Sequence, residues 1–241
     1  MPGSIRLFVD APLLPGDTIA ATPQQAHYLG AVMRRGPGDT VHLFNGCDGE
    51  FFSTIETIRR DRAILRVDQP LRPQAPEPDL WLAFALLKRD ATDLVVQKAT
   101  ELGVAALLPV ITERSNTHRV NAARLAAIAI EAAEQCERLT IPRLDATRTL
   151  DALLSDWPVD RRLFVAAERT DAPHITPSPT KSALLVGPEG GFAPAELDAM
   201  RARPFVTPVS LGPRILRAET ACIAGLALLQ APALLQGLEC R

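Results

Sequence analysis

Hydrophobic and polar positions follow two different patterns, one on each side of a proline-rich stretch. Before this stretch, short apolar or alternating runs are separated by Gly-, Pro-, Asn- and Asp-rich turns, a pattern typical of β-strands. The predicted strands are Ile5 to Val9, Val41 to Phe44, Phe51 to Ile58 and Ala63 to Asp68, with a short helix around Gln24 to Met33. Roughly 70 residues of this kind predict a small β-barrel or sandwich, a common form of RNA-binding module.

After the proline-rich stretch, apolar runs of strand length alternate with segments whose apolar residues recur at helical spacing. The predicted strands are Leu80 to Leu87, Val104 to Ile111, Leu163 to Ala167, Leu184 to Gly187 and Val206 to Leu211. The predicted helices are Thr92 to Leu102, a segment from an Asn121 cap to about Arg138, and Glu219 to Gln230. This alternation implies a largely parallel sheet covered by helices, so the fold class is α/β.

The proline-rich stretch predicts the domain organisation. Residues 69–79 contain four prolines, which lack amide donors and favour extended backbone. We expect a first domain at 1–72, a linker at 73–79 and a second domain at 80–241.

Composition narrows the class of protein. The chain is 47% hydrophobic and 22% charged, as in ordinary soluble globular proteins. The N-terminus resembles no secretory signal, and the apolar stretch from Ala221 to Leu235 is too short and interrupted for a membrane span. Four scattered cysteines and four scattered histidines suggest neither a disulfide framework nor a metal site, so a reducing cytoplasm fits best.

The net charge of −2 argues mildly against coating nucleic acid by bulk electrostatics, but it leaves room for a local basic patch. Only three of the 26 basic residues are lysine; the others are arginine, whose planar fork suits phosphate recognition, although codon bias explains the excess as well. Arg6, Arg34 and Arg35 are the candidate RNA-facing residues of the first domain, and solvated surface arginines are the alternative.

The first candidate site is a glycine loop. The strand ending at Val186 runs into Gly187-Pro188-Glu189-Gly190-Gly191-Phe192. Ligands of α/β sheets lie beyond the carboxyl ends of strands, where glycines let them approach the backbone. The loop has neither a Gly-Lys-Ser/Thr sequence nor a Gly-x-Gly-x-x-Gly sequence, so a Walker A loop and a dinucleotide fingerprint are excluded. A tight turn without a ligand remains the alternative.

The second candidate site also follows an apolar strand and also contains Gly-Pro. It is Ser210-Leu211-Gly212-Pro213-Arg214-Ile215-Leu216-Arg217-Ala218-Glu219-Thr220-Ala221. Charged residues clustered beside a glycine turn suggest a site that binds an anion or moves a proton. A surface pair of Arg217 with Glu219 near a helix start is the simpler alternative.

Together these two segments resemble the signatures of the RsmE family, 16S ribosomal RNA uridine-N3 methyltransferases of the SPOUT class. Three upstream segments resemble the family as well. They are Gln97–Val104 with Pro109, Glu113 and Arg114; Glu131–Arg138; and His27–Leu29 followed by Val32–Asp39 and Leu43–Gly46. The resemblance covers nearly the whole chain in the expected order. Lys88-Arg89-Asp90 departs from the family, where a Lys-Gly or Lys-Ser pair is common.

The resemblance implies a small PUA-like β-barrel followed by a SPOUT α/β domain whose C-terminal part forms a deep trefoil knot. It also implies S-adenosyl-L-methionine as cofactor, bound among loops near residues 166–168, 187–191 and 211–216. The expected cofactor-binding residues are Leu185, Gly187, Pro188, Glu189, Gly190, Gly191, Leu211, Gly212, Ile215, Leu216 and Ala221. For Glu189, holding its own loop through backbone amides is the favoured role.

A cation beside the uracil carbonyls would stabilise the uracil anion electrostatically. Arg217 is the first candidate for this catalytic role, and Arg114 is the second. Glu219 is either the base or the residue that orients Arg217. The implied partners are 16S ribosomal RNA or the assembled small subunit, and a second copy of the chain through the apolar face of Thr220 to Leu229. Two alternatives stay open: a SPOUT enzyme modifying another RNA position, and a non-catalytic ribosome-assembly factor. The identity of the base and the order of binding stay open too.

Overall fold

The structure, a computed structural model, describes residues 4–115, 117–166, 172–177 and 181–231. The chain divides into two compact units. The first comprises Met1–Pro76 with the later segment Ala133–Ile141, and the second comprises Glu77–Ala132 with Pro142–Arg241. The boundaries at 72 and 80 stay a prediction, whereas the return of residues 133–141 to the first unit was not foreseen.

The first unit is built on one five-stranded sheet. Its strands are β1 (Arg6–Phe8), β2 (Thr18–Ala20), β3 (Thr40–Phe44), β4 (Glu50–Arg59) and β5 (Arg62–Arg72). They lie in the order β1-β3-β4-β5-β2, with β1 parallel to β3 and the other pairs antiparallel. A short helix, α1 (Pro23–His27), continues into a single π-helical turn, Tyr28–Val32.

Alternate residues of these strands form the core of the first unit, because successive side chains of a strand point to opposite faces. Val41, Leu43, Ile55 and Leu65 are fully buried in one cluster. A second cluster holds the returning segment: Ala133 and Leu139 pack with the fully buried Phe44.

The second unit contains the remaining elements. Its strands are β6 (Leu80–Ala85), β7 (Ala106–Ile111), β8 (Arg143–Leu144), β9 (Arg148–Thr149), β10 (Arg162–Ala166), β11 (Ser182–Val186) and β12 (Val206–Val209). Its helices are α2 (Arg89–Glu101), α3 (Ala122–Gln135), which ends in the first unit, α4 (Leu150–Ser155), α5 (Pro194–Arg201) and α6 (Ala218–Leu229). The strand order is β12-β10-β11-β6-β7-β8, β9 also pairs with β7, and every pairing is parallel.

The parallel sheet predicted from the sequence is therefore confirmed. All residues of β11 are buried, as expected for a strand covered on both faces. Helix α6 packs against α2, β6 and β11. The trefoil knot expected from the resemblance stays a prediction. Within the described parts of the chain, no helix is both long and apolar enough to cross a membrane.

Candidate active site

The candidate site lies at the carboxyl edge of the parallel sheet. Strands β12, β10 and β11 are consecutive neighbours there, so their carboxyl ends meet at one edge. The end of β10 and the loops after β11 and β12 line a cavity of about 600 Å³. Its lining comprises Arg114, Ala166, residues 186–192, Leu197, residues 209–216, Ala218 and Ala221. Its volume falls in the range of small-molecule sites.

The loop after β11 is shaped by two glycines and a buried ring. A Cβ added to Gly187 would lie 3.0 Å from the ring of Phe192, which is only 8% exposed, so a side chain here would displace the ring. Gly191 has a φ of +68°, in the left-handed region that glycine adopts without strain. Its amide donates to the Pro188 carbonyl at 2.8 Å and closes the turn. The cavity wall here is therefore largely main chain.

A loop from β7 is tied to this glycine loop. The Arg114 guanidinium donates to the Gly190 carbonyl at 2.9 Å. Glu196, in the first turn of α5, accepts from the Glu113 amide at 2.8 Å and from the Ala193 amide at 2.9 Å. One carboxylate thus joins the residue before Arg114 to the start of the helix that follows the glycine loop.

The β7 loop is closed internally as well. The buried Ser115 hydroxyl accepts from the Thr112 amide at 3.0 Å and lies 2.9 Å from the Thr112 hydroxyl. This closure places Arg114 between two fixed points, Thr112–Ser115 and Glu196. Side-chain entropy lost on binding is smaller when the backbone is already fixed.

The loop after β12 forms the opposite wall. Gly212 has a φ of +119°, and its amide donates to the Ser210 hydroxyl at 3.3 Å. Ser210 is also held by main-chain hydrogen bonds to Pro173 and Ile175. The Ile215 side chain is 59% exposed although it is apolar, so it offers surface that a bound ligand could cover.

Helix α6 begins at the end of this loop. Arg217 is its N-cap residue, and the Arg217 carbonyl accepts from the Ala221 amide at 2.8 Å. The Arg217 side chain is exposed, and neither it nor Glu219 lines the cavity, although Leu216 and Ala218 do. Among the described residues, neither Arg217 nor Glu219 forms a side-chain ion pair. The first amides of a helix lack intrahelical acceptors, so this corner favours negative charge.

Two kinds of chemistry are not supported at this site. Burial raises the pKa of the Cys222 thiol far above its usual range, and Glu219 adds to the shift, so this cysteine is not a ready nucleophile. Within the described segments, no three His, Cys, Asp or Glu side chains cluster closely enough to hold a metal ion. The site offers apolar walls, main-chain polar groups and separate charged side chains.

Comparison with known protein families and solved structures shows which family has this site. The RNA methyltransferase domain family matches residues 74–230, and the RNA methyltransferase PUA domain family matches residues 21–68. The ribosomal RNA small subunit methyltransferase E of Rickettsia conorii is 34% identical over 230 residues, which cover 92% of this chain and 93% of the relative. The chain belongs to the ribosomal RNA small subunit methyltransferase E family.

Solved structures of this fold carry the cofactor. The family member from Neisseria gonorrhoeae, solved bound to S-adenosyl methionine, is 27% identical with a TM-score of 0.85, covering 95% of this chain and 98% of that one. A Legionella pneumophila protein, solved with bound SAM, is 32% identical with a TM-score of 0.86 and the same coverage. The expected PUA-like domain followed by an α/β RNA methyltransferase domain is confirmed by the two family matches and by these structures.

The structure brings most of the family residues expected from the sequence together. Ten of the predicted cofactor-binding residues line the one cavity: Gly187, Pro188, Glu189, Gly190, Gly191, Leu211, Gly212, Ile215, Leu216 and Ala221. Glu189 is exposed and, in the part of the chain that the structure describes, accepts no amide of its own loop; the carboxylate that accepts main-chain amides here is that of Glu196, from Glu113 and Ala193. Residues 167 and 168 of the third expected loop lie outside the described residues, while Ala166 lines the cavity.

Two predicted site residues are corrected. Leu185 is fully buried, and its strand pairs with β10 and β6 on its two sides, so it belongs to the core and does not line the cavity. Arg6 is 6% exposed; it donates to Glu50 and to three carbonyls, so it does not face RNA. Arg34 and Arg35 are exposed, as expected.

Sequence reasoning missed the residues that shape the cavity from outside the two motifs. Phe192 ends the first motif but was not assigned to the site, and Glu196 was not among the predicted site residues. The available signal was Pro194 followed by Glu196, which together favour a helix start in which a glutamate reaches back to the cap amide.

Proposed function

We propose that this chain transfers a methyl group from S-adenosyl-L-methionine to the N3 atom of a uridine in 16S ribosomal RNA, alone or in the small subunit. The observation that carries the proposal is the cavity built from the end of β10 and the loops after β11 and β12. Family membership supports the reaction and the type of RNA. A cytoplasmic location follows from ribosomal RNA as substrate.

The residues present fit this cofactor. Leu211, Ile215 and Leu216 supply apolar surface for an adenine ring, and the main chain around Gly187 and Gly212 supplies polar groups at close approach. Arg114 supplies a positive charge and Glu189 a negative charge at the rim, which match the carboxylate and ammonium groups of the methionine part. When bound, the cofactor supplies an electrophilic methyl group on a sulfonium centre.

The protein's part of the reaction is to orient the uracil and to favour loss of its N3 proton. Negative charge on the uracil carbonyls grows as that proton leaves, and Arg217 beside the cavity stabilises it. The N-terminal amides of α6 act in the same direction. Glu219 either accepts the proton or orients Arg217, and Arg114 is the second candidate cation.

We also propose that the enzyme is a homodimer, with α6 in the interface. Residues Thr220, Ile223, Ala224, Ala227 and Leu228 remain wholly or partly exposed at helical spacing, while the opposite face is buried in the second unit. Light scattering of the purified chain tests this: the proposal requires a mass of two chains, and Leu228→Glu should shift it toward one.

Two measurements test the proposed reaction. Isothermal titration with S-adenosylmethionine should show binding to the chain alone or to its RNA complex, and absence of binding in both would favour the non-catalytic assembly factor. Mass spectrometry of ribosomal RNA from a deletion strain should show loss of N3-methyluridine in 16S RNA. An unchanged level would exclude this substrate, and loss of a different mark would identify the other SPOUT activity.

A further inference from the structure

The arginines of residues 4–76 in the first unit fall into two groups according to their partners. Arg6 and Arg72 form ion pairs with Glu50, and Arg66 pairs with Glu56 and Asp68. Five further arginines are exposed and form no ion pair among the described residues: Arg34, Arg35, Arg59, Arg60 and Arg62. Their charge is available to a ligand.

The fold gathers these five arginines around one end of β4. A Cβ on Gly30 would lie 3.4 Å from the Ile58 side chain, so the π-helical turn lies against this part of β4. Further along, the Gly38 amide donates to the Ile55 carbonyl at 2.8 Å. The segment carrying Arg34 and Arg35 is therefore anchored at both ends beside residues 55–58.

The other three arginines lie in the hairpin that follows directly. Ile58 is succeeded by Arg59, which pairs in register with Arg62 across the turn between β4 and β5. Arg60 and Asp61 form the turn itself. We call the five residues Arg34, Arg35, Arg59, Arg60 and Arg62 the arginine strip.

Nearby carboxylates do not cancel the positive charge of the arginine strip. The Asp39 carboxylate is engaged by the Gly36 amide at 2.9 Å, and Glu56 already pairs with Arg66. Asp61 is the remaining carboxylate within the hairpin. Five guanidinium groups thus face two carboxylates that form no ion pair among the described residues, Asp39 and Asp61, in a chain whose net charge is −2, so the strip is locally positive.

The local backbone holds the first two arginines in place. Arg34 has a φ of +54°, rare for a residue with a side chain, and main-chain hydrogen bonds from Met33 to Tyr28 and from Arg35 to Leu29 flank it. Val32 and Met33 beside it are 58% and 36% exposed. Strained backbone fixed by its surroundings is a feature of recognition sites, and the planar guanidinium of an exposed arginine suits stacking with unstacked bases.

We propose that the arginine strip binds the phosphate backbone of the ribosomal RNA substrate, an inference that rests on the proposed function. Guanidinium groups donate bidentately to phosphate, and contacts of this kind position an RNA without reading its sequence. The match of the PUA domain family to residues 21–68 includes all five arginines. Arg6 is not part of the strip, because it is buried and donates to Glu50 and to three main-chain carbonyls.

The test compares two double variants of the full chain that remove the same charge. Arg60→Gln/Arg62→Gln acts on the strip, and Arg201→Gln/Arg203→Gln acts on exposed arginines at the end of α5. Binding to a 16S RNA transcript and to purified small subunits is measured over a series of salt concentrations. Titration with S-adenosylmethionine and thermal unfolding are run on the same samples.

The strip variant should bind RNA about tenfold more weakly, and the slope of log affinity against log salt should fall by about two. The α5 variant should match the wild type, and cofactor affinity and unfolding should be unchanged in both. Equal loss in the two variants, or loss in neither, overturns the strip while leaving the proposed reaction intact. Wild-type protein that binds the cofactor but neither RNA probe overturns both. Binding to anionic lipid vesicles with equal strip dependence and no RNA preference assigns the strip to membranes instead.

Discussion

Arg6, a buried arginine of the first unit, and Arg217, an exposed arginine beside the cavity of the second unit, show two different uses of one side chain. Arg6 donates to Glu50 at 2.5 Å and to the carbonyls of Ala133, Glu134 and Arg138, and its guanidinium lies 4.4 Å from the Phe44 ring centroid. Arg217 is exposed and has no ion-pair partner among the described residues. An arginine whose guanidinium nitrogens are all hydrogen-bonded within the protein stabilises the fold, while an arginine without an ion pair has N–H groups available to a ligand.

The difference follows from the cost of burying charge. An ion taken out of water needs close partners for every polar group, and Arg6 has them because residues 133–141 return to the first unit. Glu50 completes the arrangement by also accepting from Arg72 at 2.6 Å, with only 2% of its side chain exposed. Removing one partner there should affect folding, whereas removing Arg217 should affect chemistry.

Glu50→Ala should give the largest effect, on stability. It leaves Arg6 buried without its carboxylate, and breaking a buried pair typically lowers the free energy of unfolding by about 3–5 kcal/mol. Denaturant unfolding followed by circular dichroism measures the loss. Hydrogen exchange should locate it in β1 and residues 133–141.

Glu56→Ala is the matched control on the same strand, because the Glu56 side chain is 38% exposed and its pairing with Arg66 is solvated. Its expected cost is at most about 1 kcal/mol. Equal effects of the two substitutions would contradict the structural role assigned to the buried network.

Arg217→Ala should give the second-largest effect, on turnover. Removal of a group that stabilises developing negative charge lowers kcat by roughly 100- to 1000-fold. Cofactor affinity should stay within about threefold, because the Arg217 side chain does not line the cavity. Single-turnover kinetics and calorimetry separate the two quantities, with Arg203→Ala as control. A collapse of cofactor affinity would make Arg217 a cofactor or folding residue instead.

Glu196→Gln should give a smaller effect on the cavity itself. Each carboxylate oxygen of Glu196 accepts one main-chain amide, from Glu113 or from Ala193. Glutamine has only one side-chain oxygen, so the substitution removes one of these hydrogen bonds and loosens the loop that carries Arg114. A lost hydrogen bond of this kind predicts a rise of roughly three- to tenfold in KM for the cofactor, with kcat and thermal stability nearly unchanged. Asp198→Asn, on the same helix, is the control. A fall in kcat with unchanged KM would argue against this positioning role.

The strands that end at the cavity could be predicted from the sequence, because an apolar run followed by a glycine turn is a local signal of a strand and its end. Ten residues that the family resemblance implied line the cavity, because the two segments that carry the motifs follow strands ending at the same edge of the sheet. Arg6 was misassigned because its partners come from residues 133–138, far along the chain, and no local pattern announces such burial. Glu196 was overlooked because the acceptor role that matters most, toward Glu113, also joins distant segments.

The smallest expected effect concerns pH and lies beside the same buried network. Burial lowers the pKa of His42 below its ordinary 6.5; Glu50 opposes the shift, and Arg6 and Arg72 reinforce it. The unfolded chain therefore binds a proton at higher pH than the folded chain, so the free energy of unfolding falls as pH drops below 6.5 toward the lowered value. Substitution of His42 by glutamine should remove this part of the pH dependence, and the same change at the exposed His27 should leave it. Urea unfolding at pH values above and below 6.5 measures the difference. If the free energy of unfolding of the His42 variant changed with pH as steeply as that of the wild type, the surroundings of His42 would not favour its neutral ring.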